Sequence, residues 1–418
     1  MIKFDTIIIG TGPAGLFTAC YIDNGSVLII EQNDKPGKKL LVAGAGQCNF
    51  THAGDINDIM ECYHDGKKFL KKALTEYDNK DVMRFFKNKG VDYVVMENNK
   101  VFPKSLKSID ILNALLDECR ENDVKINYNE KLLQVDVVSL EENAQNAKDT
   151  NIATRYIVTT DKNQYECNNI VFATGGKSYP NLGSTGSCFK IIEGLGHTIT
   201  PLSPGLVGLT LDNNPFKELS GIAVRGAKVS VYRDNKKLID YTQDLLFTHR
   251  GVSGPAIINI SRYMRQGDVV YLNFLNREYE EVKSELLNGL QAKGSEEINT
   301  FLKQFDLPKA LNSYILEYLE LDLHTYCAKI SKDMRNKLAT ALTKYEIIIN
   351  KPLDFNTAMV TNGGVKLKEV NPTTMESRKH KGLFFAGEVL DIDGITGGYN
   401  IQAAFSTAYL CACHINKQ

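Results

Sequence analysis

Thr6-Ile7-Ile8-Ile9-Gly10-Thr11-Gly12-Pro13-Ala14-Gly15, continued by Leu16 to Ile22 and then by Val27-Leu28-Ile29-Ile30-Glu31, decides the fold of this chain. An apolar run of strand type enters a glycine turn, a helix-like run leaves it, and a second apolar run ends on an acid. The first glycine permits the tight turn, the second lets a pyrophosphate approach the backbone, and the third lets helix and strand pack closely. The helix N-terminus then faces the phosphates across Pro13 and Ala14. Glu31, with Gln32 behind it, is placed to accept from ribose hydroxyls. The glycine pattern alone is weak. With a strand before it, a helix after it and an acid closing the next strand, it reads as a dinucleotide-binding unit.

Working outward, 418 residues are too many for one simple core, and two or three domains are expected. Hydrophobic residues at 43% and charged residues at 24% fit a soluble globular chain. A net charge of −1 provides no bulk field to recruit nucleic acid or membrane. Lys67, Lys68, Lys71 and Lys72 gather on one predicted helix and read as a solvated face. The nine cysteines include no CxxC pair, and the seven histidines form no ligand-spaced cluster, so no metal site is expected. No apolar run approaches the ~20 residues that span a bilayer, and no signal peptide is expected before the first strand. A cytoplasmic protein with no membrane partner is the expectation; the oligomeric state stays undecided.

Helices are expected at 66–90 (two short ones) and at 108–122, with a hairpin between them turning at Asn98-Asn99. Short strands follow at 125–128, 132–140, 156–160 and 164–167, with a polar linker, Glu141 to Thr150, among them. This meander leads into Ile170-Val171-Phe172-Ala173-Thr174-Gly175-Gly176. A mononucleotide half, an antiparallel meander and a strand ending in Ala-Thr-Gly form the layout of glutathione-reductase-type, two-dinucleotide FAD proteins. Ala173, Thr174 and Gly175 should therefore pass close to FAD. From about residue 200 the pattern becomes β-rich, then helical. It turns glycine-rich again at the end, with Leu383-Phe384-Phe385-Ala386-Gly387-Glu388 and a last helix. The expected architecture is α/β: an FAD-binding domain over 1–199 (meander at about 131–168), an inserted β-rich domain over 200–277, a helical subdomain over 278–345, and a return to the first domain over 346–418.

Four further motifs stand in order along the chain: Gly37-Lys38-Lys39-Leu40-Leu41-Val42-Ala43-Gly44-Ala45-Gly46-Gln47-Cys48-Asn49; Phe247-Thr248-His249-Arg250-Gly251-Val252-Ser253-Gly254-Pro255; Asn362-Gly363-Gly364-Val365; and Gly387-Glu388-Val389-Leu390-Asp391 with Gly397-Gly398-Tyr399-Asn400-Ile401-Gln402. With the N-terminal turn, this set resembles the BaiN/YhiN-like bacterial flavoproteins over nearly the whole length. The resemblance implies an FAD domain, an inserted β-barrel-like domain, a small helical subdomain and bound FAD. It also implies one of three activities: reduction of a conjugated double bond in 3-oxo bile acids, formation of dihydrouridine in ribosomal RNA, or oxidation of aminoacetone. Gln47 stands where the family usually has Arg, and Asn99-Lys100 where it usually has Gly-Arg.

The residues themselves suggest roles. Gly44 and Gly46 lie where backbone can run beside the ribityl chain or ring, and Lys39 can neutralise phosphate. Glu388 or Asp391 should bind ribityl hydroxyls. Gly398 opens the last helix, whose first amides, near Tyr399, Asn400, Ile401 and Gln402, are candidates to stabilise the negative N1–C2=O edge of reduced flavin. Cys48 and His249 are the candidate proton donors for the carbon next to the one that takes the hydride. No second strand–GxGxxG–helix unit exists, so NADH or NADPH is expected as a transient reductant. The leading reading is an NAD(P)H-fed reduction of a conjugated C=C bond, in a 3-oxo-4-ene small molecule or in the uracil ring of ribosomal RNA. A flavin oxidase of a small amine, releasing peroxide, and a non-catalytic flavin-binding redox sensor are the alternatives.

Overall fold

In the computed structural model, which describes residues 1–140 and 153–418, two compact units are present. The first joins Met1–Gly205 to Phe355–Gln418; the second is Leu206–Asp354. The polar linker Glu141 to Thr150 lies outside the described residues.

The first unit is built on a sheet in the order Lys125–Asn127, Val27–Ile30, Ile2–Ile9, Gln164–Phe172, Ala153–Thr160, Leu132–Leu140. The first four strands are parallel. Leu383–Phe385 adds in parallel to the C-terminal half of Gln164–Phe172, and the N-terminal half of that strand pairs antiparallel in the meander. The expected strands at 164–167 and 170–172 are thus one. Parallel strands covered on both faces read as unbroken apolar runs, and Val27 to Ile30 and Ile7 to Ile9 are all buried. The helix Pro13–Cys20 is buried from Ala14 to Cys20. It lies against the C-terminal helix Tyr399–Ile415, with the Phe17 and Phe405 rings 4.6 Å apart. The expected helices and hairpin appear as Lys67–Glu76, Asn79–Asn88, Ser108–Glu121 and the pair Tyr93–Val95 and Lys100–Pro103.

The second unit holds a seven-stranded sheet running from Tyr345–Ile348 at one edge to Lys351–Pro352 at the other. Only two residues separate these edge strands in the chain. Ile349 and Asn350 cannot reach across an open seven-stranded sheet, since a residue spans at most ~3.6 Å. The sheet is therefore rolled on itself, in the barrel-like manner the resemblance implied.

The unit boundaries differ from the expected 199/200 and 345/346. Ile199–Gly205 pairs antiparallel with Val360–Val365 and so belongs to the first unit. Tyr345–Ile348 pairs with Val269–Asn273 and so belongs to the second. A separate helical subdomain is not found either. The helices between Tyr279 and Thr343 bury Val282, Leu286, Leu311, Ile315 and Leu338 in one core with Val229, Val231, Val270 and Leu272 of the sheet.

Candidate functional site

The three N-terminal glycines have three different reasons to be glycine. Gly10 has φ +105, and a Cβ there would stand 2.7 Å from the Ala173 carbonyl oxygen. A Cβ on Gly15 would stand 1.9 Å from the Gly10 carbonyl oxygen, so helix and strand meet only because it is absent. Gly12 is different. Its φ of −73 suits any residue, and a Cβ there would meet no protein atom within 4 Å. The fold makes no demand for glycine at that position. Pro13 occupies the first helical turn, where no N–H is missed.

Glu31 is 7% exposed. One carboxylate oxygen accepts from the Thr11 amide at 2.9 Å and the Thr11 hydroxyl at 2.6 Å, and the other from the Asn33 amide at 2.8 Å. A carboxylate has about four acceptor positions, so one remains, which keeps Glu31 a candidate for a ribose hydroxyl. Thr11 fixes the acid and was missed in the sequence, where it read as a spacer between glycines. Gln32 donates to the Gly183 carbonyl at 2.5 Å and ties down the turn after Pro180–Leu182, so its amide is committed to the protein.

The two ends of the chain meet at this turn. A Cβ on Gly387 (φ +74) would lie 2.9 Å from the Ala14 Cβ, so the Gly387-Glu388 segment packs against the first helix. Ala173 donates its amide to Ile9, and Gly175 takes φ +66 as the Ala-Thr-Gly strand turns away beside Gly10.

Lys39 corrects the phosphate expectation. Its Nζ donates to Glu388 at 2.6 Å and to the Ser178 hydroxyl at 2.6 Å. Glu388 also accepts from the Ser178 hydroxyl at 3.0 Å and the Thr361 amide at 2.7 Å. The Lys39 charge is answered inside the protein, and most of the Glu388 acceptor capacity is spent. Asp391 is half-buried and, among the described residues, has no side-chain partner. It becomes the better candidate for a ribityl hydroxyl. Thr361 immediately precedes the noted Asn362-Gly363-Gly364 run, a signal that was present but unused.

Gly397 (φ +141) and Gly398 (φ +90) open the last helix. A Cβ on Gly398 would stand 2.6 Å from the Thr51 carbonyl oxygen, so glycine is required by the close approach of the 49–51 segment. Tyr399 is buried, and its carbonyl accepts from the Tyr63 hydroxyl at 2.7 Å. The Asn400 side chain closes the preceding loop by accepting from the Gly394 amide at 2.8 Å and donating to its carbonyl at 2.9 Å. Gln402 is a correction: its amide already bonds the Gly398 carbonyl at 3.0 Å, and its side chain accepts from Thr51 at 2.5 Å and donates to Ser406 at 2.9 Å. Among the described residues, the amides of Asn400 and Ile401 have no backbone acceptor, so they remain the candidates.

Gly44 (φ +57) and Gly46 (φ +85) form a tight turn with Ala45. The Gly46 carbonyl accepts the Ser108 amide at 2.9 Å, which fixes the loop to the start of the Ser108–Glu121 helix. Cys48 is the clearest correction. Its side chain lies in the core with 0% exposure, and burial pushes its thiol up to about 12. A thiol with no surface reaches no substrate, so Cys48 is structural. His249 is exposed, in the turn between Lys236–Thr248 and Gly251–Ser253 of the second unit.

Among the described residues, no cluster of His, Cys, Asp or Glu is arranged to hold a metal, and no helix is long and apolar enough to cross a membrane. A glycine turn with open space above it, an acid closing the second strand and an Ala-Thr-Gly strand beside both make up a Rossmann-type α/β flavoprotein fold, and the protein is an FAD-dependent oxidoreductase. Residues 4–414 match the model of the HI0933-like protein Rossmann domain, and the chain belongs to that family. It is 31% identical over 420 residues to the ribosomal RNA dihydrouridine synthase of Haemophilus influenzae, covering 99% of both chains. It is 31% identical over 415 residues to the protein of the same name from Escherichia coli, covering 99% of this chain and 98% of that one. The 3-dehydro-bile acid delta(4,6)-reductase of Clostridium scindens is 29% identical over 417 residues, covering 96% of this chain and 97% of that one. Among solved structures, the 3-ketosteroid delta1-dehydrogenase of Sterolibacterium denitrificans matches with a TM-score of 0.54 and 11% identity over the whole of both chains, a likeness of fold.

Proposed function

We propose that the protein uses NAD(P)H to reduce a C=C bond conjugated to a carbonyl, and that its substrate is the uracil ring of ribosomal RNA. The observation that carries the substrate is the end-to-end match to two proteins named ribosomal RNA dihydrouridine synthase. Dihydrouridine is uridine saturated at C5=C6, a bond conjugated to the C4 carbonyl. Hydride therefore adds at C6 and a proton at C5.

Bound FAD supplies the two-electron relay from nicotinamide to substrate. The chain's own residues hold it. Gly10, Gly12 and Gly15 with the first helix receive the pyrophosphate, Glu31 a ribose hydroxyl, and Asp391 the ribityl chain. The amides of Asn400 and Ile401 would offset negative charge on the flavin ring. With Cys48 buried, His249 is carried forward as the proton donor.

The test is a two-stage assay. Anaerobic NADH or NADPH should bleach the flavin, and unmodified ribosomal RNA should restore its colour with formation of dihydrouridine at a defined site. H249N should slow that second stage at least tenfold, with bleaching unchanged. Bleaching without turnover of RNA, but with turnover of a 3-oxo-4-ene bile acid, would move the substrate to the second reading, which the 29% identical reductase favours. Peroxide release from aminoacetone in air, without bleaching by either nicotinamide, would replace both.

A further inference from the structure

The chain as a whole is nearly neutral, at −1. One segment departs from that. From Lys366 to Lys381 there are five basic residues, Lys366, Lys368, Arg378, Lys379 and Lys381, against Glu369 and Glu376. The segment folds back on itself. Val370 bridges Ser377 antiparallel, the Arg378 amide bonds the Glu369 carbonyl at 2.8 Å, and the Asn371 amide bonds the Glu376 carbonyl at 2.8 Å. Glu369 on one arm stands opposite Arg378 on the other; Lys366 and Lys368 precede the first, and Lys379 and Lys381 follow the second in the turn that leads into Leu383–Phe385.

Both acids are committed to the fold. Glu369 accepts from the Thr198 amide at 2.8 Å and hydroxyl at 2.7 Å, and its carboxylate also meets Lys379 at 3.0 Å. Glu376 accepts from the Gly382 amide at 2.8 Å and lies 3.5 Å from His414. Lys366, Lys368, Arg378 and Lys381 are exposed and, among the described residues, have no ion-pair partner. Elsewhere several cations are answered locally: Lys67 by Glu61, Lys72 by Glu76, Lys228 and Lys237 by Asp240, and Arg233 by Asp268, while Lys68 and Lys71 are exposed without such a partner among the described residues. Four unanswered cations on a braced hairpin concentrate positive potential there.

We propose that this hairpin is the surface that holds the phosphate backbone of the RNA substrate, an inference that rests on the uracil reading above. Strand Leu383–Phe385 lies between the hairpin and Gly387, and from Lys381 to Gly387 is six residues, about 20 Å at ~3.3 Å each. Phosphates flanking the target nucleotide, rather than the target itself, are therefore what the hairpin meets. Such contacts release condensed counterions and raise affinity without reading sequence.

The experiment compares FAD-loaded wild type with K366A/K368A/R378A/K381A for binding to unmodified ribosomal RNA transcribed in vitro, between about 50 and 200 mM salt. The variant should bind at least tenfold more weakly at the low end. Its log affinity against log salt should be shallower by about 3, since each phosphate contact contributes about 0.7–0.9. Flavin content and bleaching by nicotinamide should match wild type. The charge-preserving K366R/K368R/R378K/K381R should keep wild-type affinity. Equal affinity and equal slope for wild type and the alanine variant would overturn the hairpin and leave the uracil reading standing. A wild type with no affinity for RNA would overturn both. Unchanged RNA binding with lost binding to phosphatidylserine vesicles would assign the surface to a membrane and overturn the proposal.

Discussion

Gly12 and Gly15 are three residues apart and make opposite forecasts. Ala at Gly12 costs the protein nothing in backbone or space, yet places a methyl group where a pyrophosphate would lie. G12A should fold with the melting temperature of the wild-type apoprotein and bind FAD at least tenfold more weakly, by flavin fluorescence titration. G15A should be destabilised by about 1–3 kcal/mol, because its methyl group must displace the Gly10 backbone. Wild-type FAD affinity in G12A would remove the turn from the cofactor site. These glycines were legible because their demands are local. Cys48 was not, since a thiol beside a glycine loop looks available until tertiary packing buries it. The Lys39–Glu388 pair was equally hidden: 349 positions separate its members, and neither local pattern points to the other.

At the scale of the element, the 366–381 hairpin is braced by a buried His197. Its Nε2 lies 2.9 Å from the Ser377 hydroxyl and its Nδ1 3.3 Å from Glu369. Burial, helped by the Lys379 charge, lowers the imidazole to about 4, and it stays neutral in the fold. Glu369 is held at about 2: burial opposes its charge, but the Thr198 donors and Lys379 outweigh that. The signs follow. Between pH 6.5 and about 4 the unfolded chain binds the histidine proton and the folded chain does not, so stability is lost as pH falls through that window. Below 4.5, Glu369 continues the loss toward pH 2. The melting temperature of wild type should therefore drop on acidification from pH 6.5. H197N should begin lower at neutral pH and show a flatter profile between pH 6.5 and 4.5; an unchanged profile would show that His197 does not titrate with folding. The neighbouring strand Ile199–Gly205 was not legible in the sequence, for a physical reason. Pro201 and Pro204 interrupt its pattern, and the register against Val360–Val365 shifts between Thr200 and Ser203.

For the whole molecule, the decisive feature is that one unit is nested inside the other. Gly205 lies opposite Val360 on adjacent strands, so the chain leaves and re-enters the first unit at nearly the same place. Each unit has its own core. Calorimetry should resolve two transitions. FAD should raise only the one that belongs to residues 1–205 and 355–418, by about 2.7 kcal/mol at a free concentration one hundred times Kd. Hydrogen exchange would assign the transitions, and an equal upward shift of both would show that the units melt together. The presence of an insertion was legible from the break in glycine pattern. Its edges were not, because Tyr345–Ile348 pairs with a strand, Val269–Asn273, that lies more than seventy residues upstream, across the helices.

The rolled sheet of the inner unit has a temporal consequence. Leu209 pairs first with Val252 and finds its second neighbour only when Pro352 has been made, and the outer sheet waits longer still, for Leu383 to Phe385 and the terminal helix. On the ribosome, where domains fold as units in the order they emerge, the guest can therefore complete itself while its host is still missing its final strand, and the outer body assembles last.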